Sequence, residues 1–281
     1  MGDSSDIRKV VLAQDLSSEE IKALKSRFNS RGQEKNTPEH IVAKEYKRIG
    51  IIGDVHLNSK ECNLEFLHKA YGWFRDMHAD FVVQAGDLTE GEEMRRDQKF
   101  GLVNQGIDAV VGYVLERYPL VGLNTYFIGG NHDQAYQKHA GHDICAHIAS
   151  KRQDLIYLGQ NEGDLPGDVI DCKFKLWHPS KGSAKGKSYQ IQELLNYFVN
   201  QCEDKPQVLV VGHYHKFDWI FEHNVHAYQA GTIQDQSDWM RTKNLAAEQR
   251  VWLLDIYCHE GQVEHVTNRE RSIGDLLGVE R

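Results

Sequence analysis

Two histidines, His213 and His215, close the apolar run VLVVGHYH. A carboxylate and a histidine, Asp54 and His56, stand at the same spacing after KRIGIIG. Asp87 ends FVVQAGD, and Asn131 and His132 end TYFIGGNH. In extended backbone, residues i and i+2 leave the chain on one face, so each spaced pair is expected to aim at a common place. Carboxylate, amide oxygen and imidazole together suit Mn²⁺, iron or Zn²⁺, whereas a thiolate site would draw on cysteines. There are more donors here than one ion can take. Two ions about 3.5–4 Å apart, sharing one carboxylate, are the apparatus of phosphoester hydrolysis. They acidify a bridging water towards hydroxide, which attacks phosphorus in line, and they stabilise charge on the phosphoryl oxygens.

Such donors must be gathered by the elements that carry them. From Arg48 onward short β-branched runs alternate with helical patterns: KRIGIIG, then NLEFLHKAYGWFRDM as an amphipathic helix, then ADFVVQAGD as a strand. A long helix over LVNQGIDAVVGYVLERY and a strand over NTYFIGG follow, with helices over DICAHIASKR and SYQIQELLNYFVNQ. After residue 207 short strands dominate: QVLVVGH, DWIFEH, VHAYQAGT and RVWLLDIY. This order predicts an α/β layered fold with two mixed sheets in contact. In open α/β sheets ligands sit beyond the carboxyl ends of strands, which is where every polar cluster falls. Trp73, Phe74 and Trp252 sit at core-like spacings and are assigned to packing.

Residues 1–45 stand apart as an N-terminal helical segment and linker, followed by one domain over 46–281. Ser17 and Glu20 form a capping-box pattern, Ile21, Leu24 and Phe28 share one helical face, and NSRGQEKNTPEH reads as linker. This helix packs on the domain behind it or is the remnant of a DNA-binding module.

The 281 residues suffice for a full core, and 40% hydrophobic with 26% charged residues is ordinary for a globular protein. A net charge of −8 rules out a global basic field that coats nucleic acid, though not an enzyme whose site carries its own cations. Five cysteines, none in a CxxC pair, fit reduced thiols rather than disulfides or a zinc ribbon. No apolar run approaches the roughly 18 residues that span a bilayer, and the N-terminus lacks a signal-peptide core, so a cytoplasmic location with no membrane association is expected.

GDVH, GDLTEG, GNHD, WHP and GHYH, in this order, resemble the motifs of the calcineurin-like metallophosphoesterases, and the resemblance covers roughly residues 47 to 260. WHPSKGSAKGKSYQIQELL and VHAYQAGTIQDQSDWMRTKNL resemble a subgroup of mostly uncharacterised archaeal, bacterial and viral members. The resemblance implies a four-layer α/β/β/α sandwich of two mixed sheets. It places Asp54, His56, Asp87 and His215 on one metal, and Asp87, Asn131, His178 and His213 on the other, with Asp87 as the bridge. His132 then resembles the general acid that protonates the leaving oxygen, with Asp133 orienting it. Two divalent ions follow as cofactors, Mn²⁺ first, with iron or Zn²⁺ as alternatives. Against this, Asp54 and Asp87 could be loop caps, and His178 a strand-end histidine bonded to backbone.

For substrate, Lys181, Lys185 and Lys187 in the loop after His178, with Arg95 and Arg96 after GDLTEG, could grip a phosphate flanking the scissile one. They could equally be a solvated charged surface. If they bind, the partner is an extended phosphodiester such as DNA, RNA or a nucleotide, hydrolysed by the bridging hydroxide. A phosphomonoesterase or protein phosphatase is the enzyme alternative. A scaffold that kept the fold and lost catalysis is the non-enzyme one, disfavoured because all seven ligands and His132 are present. Residue types leave the oligomeric state open.

Overall fold

The computed structural model describes residues 45–94, 98–180, 188–201 and 205–278. The helix expected near residues 17–28, Arg95, Arg96, Lys181, Lys185 and Lys187 lie outside the described residues.

Eleven strands form two mixed sheets among the described residues. In the first, β1 (Glu45–Ile52), β2 (Phe81–Gln84), β3 (Thr125–Gly129) and β4 (Leu155–Gln160) run parallel, β10 (Arg250–His259) pairs antiparallel with β1, and β11 (Gln262–Ser272) pairs antiparallel with β10. The second sheet has the order β5 (Glu162–Asp164), β6 (Phe174–Trp177), β7 (Val208–Val211), β9 (Val225–Ala230), β8 (Phe217–Glu222). Its three central strands β6, β7 and β9 are parallel.

The period of two along the strands assigns the layers. Val208 and Val210 of β7 join Ile49, Ile51, Phe81, Val83, Leu254 and Tyr228 in one buried cluster, which draws on both sheets and so lies between them. Leu209 and Val211, on the opposite face of β7, join Ile191, Leu195 and Phe198 of the helix Tyr189–Gln201. On the far side of the first sheet, Val82 and Phe127 meet α1 (Leu64–Asp76), α2 (Ile107–Arg117) and α3 (Ile144–Lys151). Helix, sheet, sheet, helix is the expected four-layer sandwich. Phe74 is fully buried, and Trp252 stacks on Phe217 with ring centroids 3.9 Å apart, so both serve packing.

Two expectations need correction. The long helix expected over 102–118 begins only at Ile107, because Gly106 takes φ 89° ahead of the first turn. The strand β11 was not foreseen: its residues are mostly polar, as suits an outermost strand with one edge unpaired. Among the described residues no helix is long and apolar enough to cross a membrane.

Candidate dimetal active site

β1, β2, β3, β6 and β7 end at Ile52, Gln84, Gly129, Trp177 and Val211, and each is followed within a few residues by a group of the expected set. The loops there are tied to one another. Asp54 N–H donates to the Gly86 carbonyl at 3.2 Å and His56 N–H to that of Asp87 at 3.0 Å, continuing the β1–β2 pairing beyond the strands.

The side chains do not leave extended backbone, as the i, i+2 spacing suggested. Asp54, His56, Asp87, His213 and His215 all have positive φ, between 44° and 76°. The strands have already ended, and left-handed turns fold these side chains into a shared cleft. Each such residue costs on the order of 1 kcal/mol, a strain typical of functional sites.

Donor atoms gather in two groups drawn from the expected ligands, Asp54 with His56 and His215 and Asp87 with His178 and His213, and in a third, His56 with Asp87 and His132, that overlaps both. Asp54, His56 and His215 converge, with His56 Nε2 and His215 Nε2 at 3.1 Å and His215 Nε2 at 3.6 Å from Asp54 Oδ1. Asp87, His178 and His213 converge likewise; Asn131 Oδ1 lies 2.8 Å from His213 Nδ1 and 3.1 Å from His178 Nε2, which is 3.2 Å from Asp87 Oδ2. Asp87 Oδ2 is also 3.8 Å from His56 Nε2, so this carboxylate borders both clusters.

These residues fit a pair of ions. Ligand atoms about 2.0–2.2 Å from a metal stand roughly 3.0–3.5 Å from one another, and the donor pairs here stand 2.8–3.8 Å apart. Metal-binding histidines use one ring nitrogen and pass the other N–H to a carbonyl or carboxylate. His178 Nδ1 faces the Ala85 carbonyl at 2.7 Å; a carbonyl only accepts, so Nε2 keeps its lone pair for the cluster. His56 Nδ1 lies 2.9 Å from Glu90 Oε2, turning its Nε2 inward in the same way.

The charges say the same. Asp54, Asp87 and Glu90 are carboxylates at most 3% exposed, gathered in one place. Burial pushes the Asp54 carboxyl up to about 7, with Asp87 adding to the effect. Burial works against the charged forms of His56 and His178 too, yet the surrounding carboxylates overcome it and lift both to about 9. Protons on histidine thus supply positive charge that divalent ions would bring, and loading the ions would release them.

His132 is 18% exposed at its side chain, against 2% for His56 and 0% for His178, and it lines the cleft. Its Nδ1 meets the Glu90 carbonyl at 2.6 Å and lies 3.7 Å from Glu90 Oε2; its N–H donates to Asp87 Oδ1 at 2.8 Å. The expected orienting role of Asp133 needs correction. Its carboxylate accepts from the amides of Leu88, Thr89 and Gly130 and from the Thr89 hydroxyl, at 2.7–3.0 Å, and so fastens the two motif loops together. Glu90 takes the place beside His132. It was missed because GDLTEG drew attention to its aspartate alone; the second acidic residue in the motif was the available signal. Buried though it is, Glu90 is held down to about 2 by the hydrogen bond to His56 and the charges of His56 and His132. Tyr214, between the two histidines, packs towards the helix Tyr189–Gln201, its hydroxyl donating to Gln190 Oε1 at 3.3 Å.

Two mixed sheets with a buried carboxylate–histidine double cluster at their strand ends define a metal-dependent phosphoesterase. The chain matches the model of the calcineurin-like phosphoesterase family over residues 47–217 and belongs to that family. No curated protein matches it. Among solved structures it is similar to a novel archaeal phosphodiesterase, at 16% identity and a TM-score of 0.48, over 80% of this chain and 99% of that one. A phosphatase from Mycoplasma pneumoniae is similar at 13% identity and a TM-score of 0.44, over 82% and 94%. Vacuolar Protein Sorting 29 from Cryptosporidium parvum is similar at 16% identity and a TM-score of 0.36, over 81% and 98%.

Proposed function

We propose that the chain is a cytoplasmic phosphodiesterase acting on nucleic acid or nucleotides, with two Mn²⁺ ions as its cofactor. The observation that carries the hydrolytic part is the pair of donor clusters meeting at Asp87 beside an accessible histidine. Asp54, His56, Asp87 and His215 would hold one ion, and Asp87, Asn131, His178 and His213 the other. Two divalent ions in those positions would acidify water and neutralise phosphoryl charge.

The chain's own groups do the rest. Because His132 Nδ1 must donate to the Glu90 carbonyl, the proton that His132 gives or takes is the one on Nε2. Protonated Nε2 delivers it to the leaving oxygen, and the Glu90 carboxylate steadies the imidazolium before transfer. Lys216 lines the same cleft, with its ammonium 3.7 Å from Glu248 Oε1. The preference for a diester is supported by the run of lysines at 181, 185 and 187 in the sequence.

The test is a Mn²⁺-dependent assay run in parallel on a chromogenic monoester, a chromogenic diester, cyclic nucleotides, and single- and double-stranded DNA. Diester turnover that disappears in Asp87→Asn is expected, because that carboxylate serves both clusters. A monoester preferred by orders of magnitude would overturn the diesterase assignment. Activity that survives Asp87→Asn would overturn the site.

A further inference from the structure

The site cleft has a wall that the hydrolytic chemistry does not use. Besides the histidines and carboxylates, its lining includes Met94, Trp239, Met240, Leu245 and Ala246. Trp239 is 45% exposed and Met94 37%, which is a large apolar surface to leave beside a charged centre.

This wall is fastened to the site. Thr232 Oγ1 donates to the Asp54 carbonyl at 2.8 Å, and Ile233 N–H to the same carbonyl at 3.2 Å. Gln234 Nε2 reaches Glu90 Oε2 at 3.4 Å. Ser237 then caps the short helix Asp238–Thr242, its Oγ accepting from Met240 N–H at 3.3 Å, and Gln236 Nε2 donates to the Leu245 carbonyl at 2.7 Å to close the segment. The segment that carries Trp239 is thus hydrogen-bonded to Asp54 and Glu90.

From this placement we infer that Trp239 forms a subsite for one unstacked nucleobase next to the scissile phosphate. The inference rests on the proposed phosphodiesterase activity and narrows its substrate to nucleotides and single-stranded nucleic acid. The cleft, of about 360 Å³, falls in the range of roughly 300–1,000 Å³ usual for small-molecule sites. A flat indole suits a planar ring, and stacking tolerates any base because each has a π-face. A base inside a duplex is already stacked on its neighbours and offers no free face.

The decisive comparison is the affinity of the Mn²⁺-loaded full chain for thymidine 5′-monophosphate and for deoxyribose 5-phosphate, measured by calorimetry. The two ligands differ only in the base. Thymidine monophosphate should bind tighter by about 5- to 150-fold, the range that one base stacked on an aromatic side chain supplies. Trp239→Ala should bring the ratio near one, and Trp239→Phe should keep most of it. Nucleotide binding should also quench a tryptophan emission component that Trp239→Phe lacks, a readout that does not need the alanine variant to fold. A wild-type ratio near one, or a ratio unmoved by Trp239→Ala, would overturn the subsite. Turnover of thymidine 5′-p-nitrophenyl phosphate against methyl p-nitrophenyl phosphate separates the two claims. If neither diester is cleaved while the binding ratio holds, the diesterase assignment fails and the subsite stands.

Discussion

Glu90 touches two histidines with different work: its carboxylate turns the His56 ring inward, and its carbonyl and carboxylate both face His132. A glutamine there keeps the shape and loses the charge that steadies a protonated His132. Glu90→Gln should therefore lower activity or metal affinity by about 10- to 100-fold, as is usual for groups that orient metal ligands. Metal titration followed by steady-state kinetics distinguishes the two. His132→Ala should behave otherwise. If His132 delivers the leaving-group proton, the variant should lose about 10²–10⁴ in rate on an alkyl diester. On a p-nitrophenyl ester, whose leaving group needs no proton, the loss should be far smaller. Equal losses on both substrates would remove His132 from the acid role.

At the scale of the elements, the site is made by loops that pack backbone on backbone. Gly130 lies directly against Asp87: a Cβ there would stand 2.1 Å from Asp87 Oδ1 and 2.4 Å from its amide nitrogen. Gly212 is as tight, with a Cβ 2.1 Å from the Ala85 carbonyl oxygen. The glycines that open GNHD and GHYH are thus required by the loop that carries Asp87. Gly130→Ala must displace Asp87 and should cost about 1–3 kcal/mol of stability, the usual penalty for overpacking. It should also strip the site of metal. Elemental analysis and the unfolding midpoint check both; a variant with full metal content would show that the loops yield more than their packing suggests.

For the whole molecule, one buried ionic knot joins three strands of the first sheet. Asp255 on β10 accepts from Arg48 of β1 at 2.7 and 3.1 Å and from Arg269 of β11 at 2.6 Å. Burial opposes its charge, but the bonds from Arg48 and Tyr46 and the charges of Arg48 and Arg269 hold the carboxyl below its ordinary value. A depressed carboxylate stabilises the fold above its unfolded value of about 3.9, and that contribution is lost as the pH falls through the lower folded value. Asp255→Asn should cost about 2–3 kcal/mol at pH 7, somewhat less than a fully buried pair because the arginines are partly exposed. The gap between variant and wild type in denaturant midpoints should narrow as the pH drops below about 4. A gap independent of pH would mean the loss is packing, not charge.

Seven of the eleven described strands, the longer helices and the two-sheet class were legible in the sequence, because period-two apolar runs and strand-end glycines are local signals, whereas β4, β5, β6 and β11 were not. The seven expected ligands came from the resemblance of five short motifs to those of the family. What the sequence left undecided depends on atoms brought together from distant positions. Asp133 and Glu90 are both acidic neighbours of the motifs, and only packing shows that Asp133 bonds the amides of Leu88 and Thr89 while Glu90 meets the histidines. The left-handed turns at Asp54, Asp87 and His213 arise where strands of two sheets end beside one another, which no spacing rule records. Trp239, far along the chain from the motifs, reaches the cleft because the segment after β9 is hydrogen-bonded to Asp54 and Glu90. Chemistry by residue type was written in the sequence; the partner of each group was decided by the tertiary fold, because hydrogen bonds and burial are properties of proximity in space.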